Sequence, residues 1–487
     1  MTKLLNRIFS INERKSSISR ELLAGLITFV AMIYILPVNS GILGDMGMNA
    51  SGVFFATAIV SGLISLFMGL YGNFPVVLSA GMGVNAYLAY TVYSAYGNWI
   101  SALVVMLLAG IIFLIITLTP LREKIIVAIP NDIKFIISAS LGGFIAFVGL
   151  KNAGIITNNS ATFVSLGQLN NIAVILSLVG VLLVFVLMAV PNNKVNSLAI
   201  PISMGIMTII GVVLYYSLRN VQGIDVSTLP HFDMNAKWGI SGYNDVFFRI
   251  FTGDSALIWY DPATLGTEVP VVQQIGVSAR EAWSTVISNP LSYGFIFSLI
   301  LVNLFDTTAT LMAVGRGAGL LNEQGNLKGG KQAILADAIG AAICAPLGTS
   351  TVTSFAESNV GVETGGKTGL MAVTSGLLFI AAGFLYPLFS VLNSPIITSL
   401  ALVAVGALMF INNLKSIDWS NHIIGVTAFT TFLLVVLSYS LSDGIGFGLI
   451  VYILMMLVSK RHKEIKPMLY VTAVLFLAYY VVKAIIG

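Results

Sequence analysis

Long apolar runs that recur from residue 22 almost to the C-terminus limit the possible folds of this chain more than any other feature. Runs such as residues 103–119 are apolar on every side and are long enough to cross a membrane as a helix. Charged residues fill only 9% of the 487 positions, whereas soluble domains carry about a quarter. A soluble globular fold is therefore excluded, and the missing alternation of polar and apolar residues excludes an outer-membrane barrel.

The apolar runs predict an all-α polytopic membrane protein with 14 spans, seven in each half of the chain. The predicted spans are residues 22–39, 52–72, 78–95, 100–119, 132–150, 171–190, 197–218, 291–315, 331–348, 351–363, 369–391, 395–412, 422–440 and 443–459. A further run, 467–485, is either an extra span or an interfacial helix. Basic residues fall mostly in loops after even-numbered spans, such as Lys367 and Lys415, so the positive-inside rule places the N-terminus in the cytoplasm.

An odd number of spans in each half turns the second half upside down relative to the first, and such inverted repeats are typical of secondary transporters. Spans 3 and 10 both open with helix-poor segments, residues 75–80 and 347–353. Half-helices are predicted to follow, after Gly83 in span 3 and after Ser354 in span 10. We expect the N-terminus of each half-helix to point at the middle of the membrane, where secondary transporters bind their substrates.

Charge, cysteine content and two motifs exclude other classes of function. The net charge of +4 is small and dispersed, which argues against a nucleic-acid partner. The single cysteine, Cys344, allows no internal disulfide and no thiolate metal site, and neither a metal nor a cofactor is predicted. Residues 361–368 match the phosphate-loop pattern but join two membrane segments, so we interpret them as a cytoplasmic turn. Gly81 and Gly83 imitate a dinucleotide motif, and we interpret them as points of close backbone approach to a small substrate.

Three carboxylates lie within the predicted spans: Asp306 in the middle of span 8, Asp337 in span 9 and Glu357 after the break in span 10. An ionised side chain at the membrane centre costs about 2.5 to 3.5 kcal/mol on the insertion scale, so such residues usually have a function. No Lys, Arg or His lies in the middle of these spans. Because apolar surroundings favour the protonated form of a carboxylate, these side chains are candidate proton carriers.

Structural interpretations compete with the functional ones. Ser354 and Glu357 have the S-x-x-E spacing of a capping box, so the role of Glu357 could be to cap the half-helix. Asp337 could be held by hydroxyl groups of span 10 and support the site without touching the substrate. Phe355, Tyr34 and Tyr87 are candidates for stacking on an aromatic substrate, and the alternative for each is a core or lipid-facing position.

The motifs around these carboxylates resemble those of the AzgA-like purine permeases of the nucleobase:cation symporter class. The matching stretches are residues 73–86 (NFPVVLSAGMGVNA), 304–311 (LFDTTATL), 335–338 (LADA), 347–358 (LGTSTVTSFAES) and 417–419 (IDW). They run through nearly the whole chain in the order of the family. The sequence departs from the family at Ser79 and Ala309 and in a longer outer loop near residues 242–289.

The resemblance implies the uracil-permease fold, with seven plus seven inverted spans and a substrate between the half-helices of spans 3 and 10. It also implies a core domain of spans 1–4 and 8–11 and a gate domain of spans 5–7 and 12–14. The predicted divisions are a basic cytoplasmic segment (1–20), the first halves of the core (21–120) and gate (121–218), an extracytoplasmic loop (219–290), the second halves of the core (291–391) and gate (392–460), and a C-terminal segment (461–487). From its residues alone, segment 1–20 is expected to be an interfacial helix, with Leu4, Leu5, Ile8 and Ile11 on a lipid-facing side. The outer loop is expected to have little interior of its own.

In that fold a carboxylate of span 8 and one of span 10 bind the nucleobase, and the matching motifs place them at Asp306 and Glu357. The predicted substrate-binding residues are Asp306, Glu357, Phe355, Ala356, Gly83, Asn85 and Met82. The predicted proton-coupling or supporting residues are Asp337, Asp306, Thr310 and Ser354. Thr310 stands where the uracil carriers have a histidine, so the resemblance does not establish their proton route for this chain.

The predicted function is uptake of a purine nucleobase across the cell membrane by symport with a cation, expected to be H⁺, through elevator-type alternating access. The expected partners are the purine, the coupling proton, the lipid bilayer and, as in relatives, a second copy of the chain in a homodimer. Sodium coupling, or an anion or other small-solute transporter of the same fold, are the alternatives. An enzyme is not expected, since no H-E-x-x-H motif occurs and the three histidines fall in loops or at span ends.

Overall fold

Helices dominate the computed structural model of the protein, which describes residues 2–122, 125, 129–221, 225–233, 236, 238, 240, 242–260, 272–320, 327 and 329–486. Within these ranges ten helices are long and apolar enough to cross a membrane, and a pair bent by 92° within residues 369–393 would make eleven. A polytopic helical membrane protein is therefore confirmed. The count of 14 spans stays a prediction, because the elements at predicted spans 3, 9, 10 and 13 are shorter helices.

The first half of the chain contains eleven described helices. They are α1 (Thr2–Phe9), α2 (Ile18–Met32), α3 (Ile35–Gly44), α4 (Ala50–Tyr71), α5 (Met82–Tyr87), α6 (Tyr93–Tyr96), α7 (Trp99–Leu118), α8 (Asn131–Asn152), α9 (Ile172–Ala189), α10 (Asn193–Ser197) and α11 (Ala199–Leu218). A π-helical turn, Leu88–Val92, joins α5 to α6. Strand β1 (Leu78–Ala80) precedes α5, and β2 (Ile156–Asn159) pairs with β3 (Phe163–Leu166).

The second half begins with a 3-10 turn, Tyr243–Asp245, and includes the hairpin of β4 (Asp254–Tyr260) and β5 (Val272–Ser278). Its helices are α12 (Arg249–Thr252), α13 (Ala279–Ser288), α14 (Leu291–Gly317), α15 (Gly330–Ile343), α16 (Ser358–Glu363), α17 (Gly369–Gly383), α18 (Tyr386–Phe389), α19 (Pro395–Leu414), α20 (His422–Leu437), α21 (Leu441–Val458) and α22 (Pro467–Ile486). Strand β6 (Val352–Ser354) precedes α16, and two more 3-10 turns are Ser390–Asn393 and His462–Glu464.

Asparagine side chains begin several of the long apolar helices. Asn49, Asn98, Asn171 and Asn421 are the N-cap residues of α4, α7, α9 and α20, and each accepts a hydrogen bond from an N–H group of the first turn. These N–H groups have no partner within the helix, so a short polar side chain at this position stabilises the helix start. The sequence therefore fixes where these helices begin, although their interiors are uniformly apolar.

Glycines bring two pairs of helices into close contact. A Cβ atom on Gly69 of α4 would lie 2.4 Å from the carbonyl oxygen of Gly369 in α17, and one on Gly142 of α8 would lie 2.7 Å from that of Gly406 in α19. Only glycine allows the backbones to approach this closely, as is common between membrane helices. Each pair joins one helix from the first half of the chain to one from the second.

Two short buried strands, one from each half of the chain, pair with each other. β1 pairs with β6 in antiparallel register, with Leu78 opposite Ser354 and Ala80 opposite Val352. Each strand leads into a short helix, α5 or α16, as the helix-poor segments of the sequence predict. The second of these helices begins at Ser358 rather than directly after Ser354.

The N-terminal segment is more closely attached to the rest of the chain than its basic pattern predicts. The expected interfacial helix over residues 1–20 is divided, since α1 ends at Phe9 and α2 begins at Ile18. Phe9 and Ile11 are buried against Leu370 of α17. The assignment of Ile11 to a lipid-facing surface is therefore wrong, because this side chain fills a small apolar cluster between the segment and α17.

The predicted outer loop, 219–290, has more structure than expected, although residues 261–271 and several shorter stretches lie outside the described residues. The indole N–H of Trp283 in α13 donates to the carbonyl oxygen of Ile250 at 2.8 Å. The backbone N–H of Phe248 donates to the carbonyl oxygen of Pro346 at 2.8 Å, just before β6. The expectation that the loop has little interior is thus wrong for the described residues 243–260 and 272–288, whose contacts include Trp283 with Ile250 and Phe248 with Pro346.

Candidate functional site

A cavity of about 430 Å³ lies beside the paired strands β1 and β6. This volume is within the range of roughly 300 to 1,000 Å³ for small-molecule sites. One wall comes from the starts of α5 and α16 and from the middle of α14, and the opposite wall comes from α8, α11 and α19. The exposed side chains of Asn196 and Asn412 lie at its rim. We call this rim the cavity mouth.

Two of the predicted carboxylates, Asp306 and Glu357, line this cavity together. Asp306 lies in the middle of α14, and its carboxylate makes no hydrogen bond to any residue in the described part of the chain. Glu357 directly precedes α16, and its Oε1 accepts a hydrogen bond of 2.8 Å from the hydroxyl of Tyr34. The cavity therefore contains one carboxylate without a hydrogen-bond partner among the described residues, Asp306, and one that a tyrosine hydroxyl holds in place, Glu357.

Asp337, the third carboxylate, lies behind the cavity and is completely buried. Its Oδ1 accepts from the backbone N–H and the hydroxyl of Ser354, both at 2.8 Å, and its Oδ2 accepts from the hydroxyl of Thr307 at 2.6 Å. Both oxygen atoms are thus occupied by hydrogen-bond donors. Asp337 connects α15 to β6 and α14, and its anionic form is the one that these three donors stabilise.

The structure places most of the predicted site residues at the cavity. The lining includes Met82, Gly83, Thr310, Ser354, Phe355 and Ala356 in addition to the two carboxylates. Asn85 is not part of it, since its side chain is buried and its Nδ2 donates to Asn39 Oδ1 at 2.6 Å. Asn39 in turn bonds to Thr57 and Thr349, so Asn85 belongs to a polar cluster that holds α3, α4 and α5 together.

The capping-box interpretation of residues 354–357 is wrong. Glu357 itself occupies the N-cap position of α16, where no side chain accepts from the helix, while Ser354 bonds to Asp337. The pattern fails because Ser354 belongs to β6, which ends before the helix begins. The Glu357 side chain is consequently free to face the cavity.

Arg122 is a buried arginine close to the site. In the sequence it counted only as a basic loop residue that orients the spans by the positive-inside rule. Arg122 is only 3% exposed, its Nη2 lies 3.5 Å from the Thr308 hydroxyl, and its guanidinium lies 5.3 Å from the centre of the Phe113 ring. Its positive charge acts on Asp337. Although no basic residue lies in the middle of these spans, Asp337 has a basic neighbour, because Arg122 folds back from its loop toward α14.

The wall opposite the carboxylates was not predicted from the sequence. It includes Leu141 of α8, Pro201 of α11 and Met409 of α19. A Cβ atom on Gly83 would lie 2.7 Å from Leu141 Cδ2, so the first half-helix packs directly against this wall. These apolar residues resemble any others in the spans, and no sequence signal distinguishes them.

The phosphate-loop lookalike, residues 361–368, is occupied by a side chain of the protein itself. The buried carboxylate of Glu21 accepts from the backbone N–H groups of Lys367 and Thr368, at 2.9 and 3.2 Å. Such N–H groups would contact the phosphates in a working phosphate loop. The local geometry supports the interpretation of the motif as a structural turn.

Solved structures with the same fold are membrane transporters. The transmembrane domain of a cyanobacterium bicarbonate transporter, BicA, aligns with a TM-score of 0.54 and 13% identity over 88% of this chain and 97% of its own. The murine Solute Carrier 26 family member A9 anion transporter aligns with a TM-score of 0.55 and 16% identity over 90% of this chain and 68% of its own. At these identities the likeness shows the fold alone.

Comparison with known sequences identifies the family. A profile described as a permease family (Xan_ur_permease) matches residues 19–253 and 275–445. The guanine/hypoxanthine permease PbuO of Bacillus subtilis is 35% identical over 96% of this chain and 98% of its own. The adenine permease AdeP of Escherichia coli is 33% identical over 97% and 95%, and the nucleobase transporter PlAzg2 of Paenibacillus larvae is 28% identical over 89% and 77%. These relatives are permeases rather than enzymes. The predicted resemblance is thus confirmed, and the chain belongs to this permease family.

Proposed function

We propose that the protein takes up a purine nucleobase by symport with a proton, and that the substrate binds in the cavity between Asp306 and Glu357. The observation that carries this proposal is that both carboxylates line one cavity of suitable size, next to the paired strands β1 and β6. The relatives that match over nearly their whole length transport guanine, hypoxanthine or adenine according to their names. The substrate class proposed here follows theirs.

The chemistry of the cavity suits a flat, neutral ligand with hydrogen-bond donors on its edge. A purine presents N–H groups that a carboxylate can accept, and these charge-assisted bonds are stronger than bonds between neutral groups. Phe355 is 7% exposed and lines the cavity, where its ring can pack against a purine face. An anion is disfavoured at the same place, since two carboxylates would repel it.

We assign different tasks to the three carboxylates. Glu357, fixed by Tyr34, is proposed to accept from the purine N–H groups. Asp306 is proposed to carry the proton, because its carboxylate has no hydrogen-bond partner among the described residues that a proton would displace. Asp337 is proposed to support the site, because three donors already occupy its two oxygen atoms.

Transport is proposed to follow an elevator movement of a core domain (21–120 and 291–391) past a gate domain (121–218 and 392–460), with 14 spans in all. The glycine contact of α4 with α17 lies within the proposed core, and that of α8 with α19 lies within the proposed gate. The cavity lies between these two bodies. Following the positive-inside rule, we place the cavity mouth and the N-terminus in the cytoplasm, and a homodimer joined through the gate domains would keep the gate static.

Uptake of radiolabelled adenine, guanine, hypoxanthine, xanthine and uracil in cells that lack their own permeases tests the proposal. At least one purine should accumulate, and a proton uncoupler should abolish the accumulation. Asp306→Asn and Glu357→Gln should each lose transport at normal membrane abundance, whereas Glu363→Gln, at an exposed carboxylate outside the cavity, should not. Wild-type rates in both cavity variants would overturn the site, and accumulation that needs sodium but survives the uncoupler would overturn the proton coupling.

A further inference from the structure

We propose that a polar cluster at the end of the molecule opposite the cavity mouth is a latch, which holds the core against the gate while the mouth is open. The latch consists of Asp45, Tyr90 and Thr91 from the proposed core, and Lys151, Asn152 and Tyr439 from the proposed gate. This inference rests on the proposed division into two domains. It does not depend on which substrate the cavity binds.

The position of the latch follows from the packing of α8 against α19. A Cβ atom on Gly149, near the end of α8, would lie 3.0 Å from the carbonyl oxygen of Ser399, near the start of α19. Gly142, earlier in α8, faces Gly406, later in α19. The two helices therefore run antiparallel. Lys151 and Asn152 thus lie beside the start of α19, about 30 Å from its other end at the cavity mouth.

Hydrogen bonds across the proposed domain boundary connect the members of the latch. The Tyr90 hydroxyl donates to Asp45 Oδ2 at 2.6 Å and accepts from Asn152 Nδ2 at 2.5 Å. The Thr91 hydroxyl donates to the carbonyl oxygen of Tyr439 at 2.6 Å. Two of these three bonds, Asn152 to Tyr90 and Thr91 to Tyr439, cross the boundary, and loss of the Tyr90 hydroxyl would break one of them.

A positive charge strengthens the same junction. Lys151 Nζ lies 5.5 Å from the centre of the Tyr90 ring and 5.3 Å from that of the Tyr439 ring. At these distances the ammonium group is attracted to the faces of both rings. The charge also acts on the Asp45 carboxylate across the boundary. The gate residue Lys151 is therefore attracted to two core residues, Tyr90 and Asp45.

Unusual backbone conformations lie on both sides of this junction. Tyr90 and Thr91 belong to the π-helical turn Leu88–Val92, and such turns often occur at functional sites. Tyr439, between α20 and α21, has a φ of 57°, in the left-handed region that non-glycine residues rarely adopt. Strained backbone of this kind concentrates in regions that switch between two conformations. The latch thus combines bonds that hold one state with a backbone that can rearrange.

Cysteine labelling of the purified protein, without any nucleobase, tests the latch separately from the substrate assignment. The only native cysteine, Cys344, is buried, so background labelling should be small. Thr398→Cys reports opening at the latch end, because Thr398 is 7% exposed and a Cβ atom on Gly41 of the core would lie 3.4 Å from its Cγ2. Ser197→Cys reports opening at the cavity mouth, since Ser197 lines the cavity.

The latch predicts opposite changes at these two reporters when the Tyr90 hydroxyl is removed. Tyr90→Phe should raise maleimide labelling at position 398 by up to about tenfold, on the basis of one hydrogen bond lost across the boundary, and should lower labelling at position 197. Tyr96→Phe is the matched control, because the Tyr96 hydroxyl bonds to Ser292, which lies in the same proposed domain. This control should change neither rate.

Asn152→Ala provides a second test that keeps the tyrosine, and it decides the question if Tyr90→Phe does not fold. It removes the same Asn152 bond to Tyr90 across the boundary and should shift both reporters in the same directions, by a similar factor. Labelling rates in the folded latch variants that equal those of the parent and of Tyr96→Phe would overturn the latch. An increase at both reporters together would also overturn it, because that result means general loosening rather than a shift between two states.

Discussion

Removing the Tyr34 hydroxyl should weaken substrate binding without disturbing the fold. Tyr34 is 1% exposed, and its hydroxyl donates to Glu357 Oε1 at 2.8 Å. Tyr34→Phe keeps the ring in its apolar surroundings and removes this one donor. Glu357 would then lose the contact that fixes its side chain toward the cavity.

The size of the effect follows from the kind of bond and from its exposure. A hydrogen bond to a charged group contributes about 1.5 to 3 kcal/mol. Because Glu357 borders a cavity that is open at its mouth, water can replace part of the lost bond, so we take the lower limit. About 1.5 kcal/mol corresponds to roughly tenfold weaker binding.

Equilibrium binding of labelled guanine, hypoxanthine and adenine to the purified variant would measure this loss. The dissociation constant of whichever purine binds the parent should rise by about tenfold, and its dependence on pH should change, because Glu357 and the neighbouring Asp306 share the cavity. Tyr96→Phe serves again as the control, since its hydroxyl bonds to Ser292 and does not reach the cavity. Binding in Tyr34→Phe that matches the control at every pH would refute the proposed support of Glu357.

Three further outcomes are expected. Asp337→Asn should lower the thermal unfolding temperature in detergent and abolish purine binding, because three donors lose their anionic acceptor; an unchanged melting curve would contradict this. Lys367→Ala should leave purine uptake intact and the purified parent should bind no ATP, so an ATP hydrolysis that this variant loses would overturn the structural interpretation of the turn. A disulfide between cysteines at the paired positions Ala80 and Val352 should preserve transport, whereas a cross-link between α3 and α19 should arrest it; the reverse pattern would exclude the proposed core.

Features that depend on local chemistry could be predicted from the sequence. The apolar runs predicted a polytopic helical protein, and the helix-poor segments before Gly81 and Ser354 predicted the extended leads that form β1 and β6. Asp306 and Glu357 stood out because a carboxylate in an apolar span needs an explanation. Their common cavity is what those patterns implied.

Features that depend on distant contacts could not be predicted in the same way. Asn85 follows the glycines of span 3 and was expected at the substrate, but the rotation of α5 turns it toward Asn39. Arg122 has the sequence of a loop residue, yet burial against Phe113 brings it to α14. Leu141 faces the half-helix because of how two helices pack, and one apolar residue among many carries no signal of that packing.

Transport by the purified protein in proteoliposomes tests the central claim most directly, since no other carrier is present. With an acidic exterior and an alkaline interior, and with no sodium on either side, a labelled purine should accumulate above its external concentration. The accumulation should collapse on addition of an uncoupler and should be absent in Asp306→Asn. Failure of every purine to accumulate under this gradient, or accumulation that appears only with a sodium gradient, would contradict a proton-coupled purine symporter.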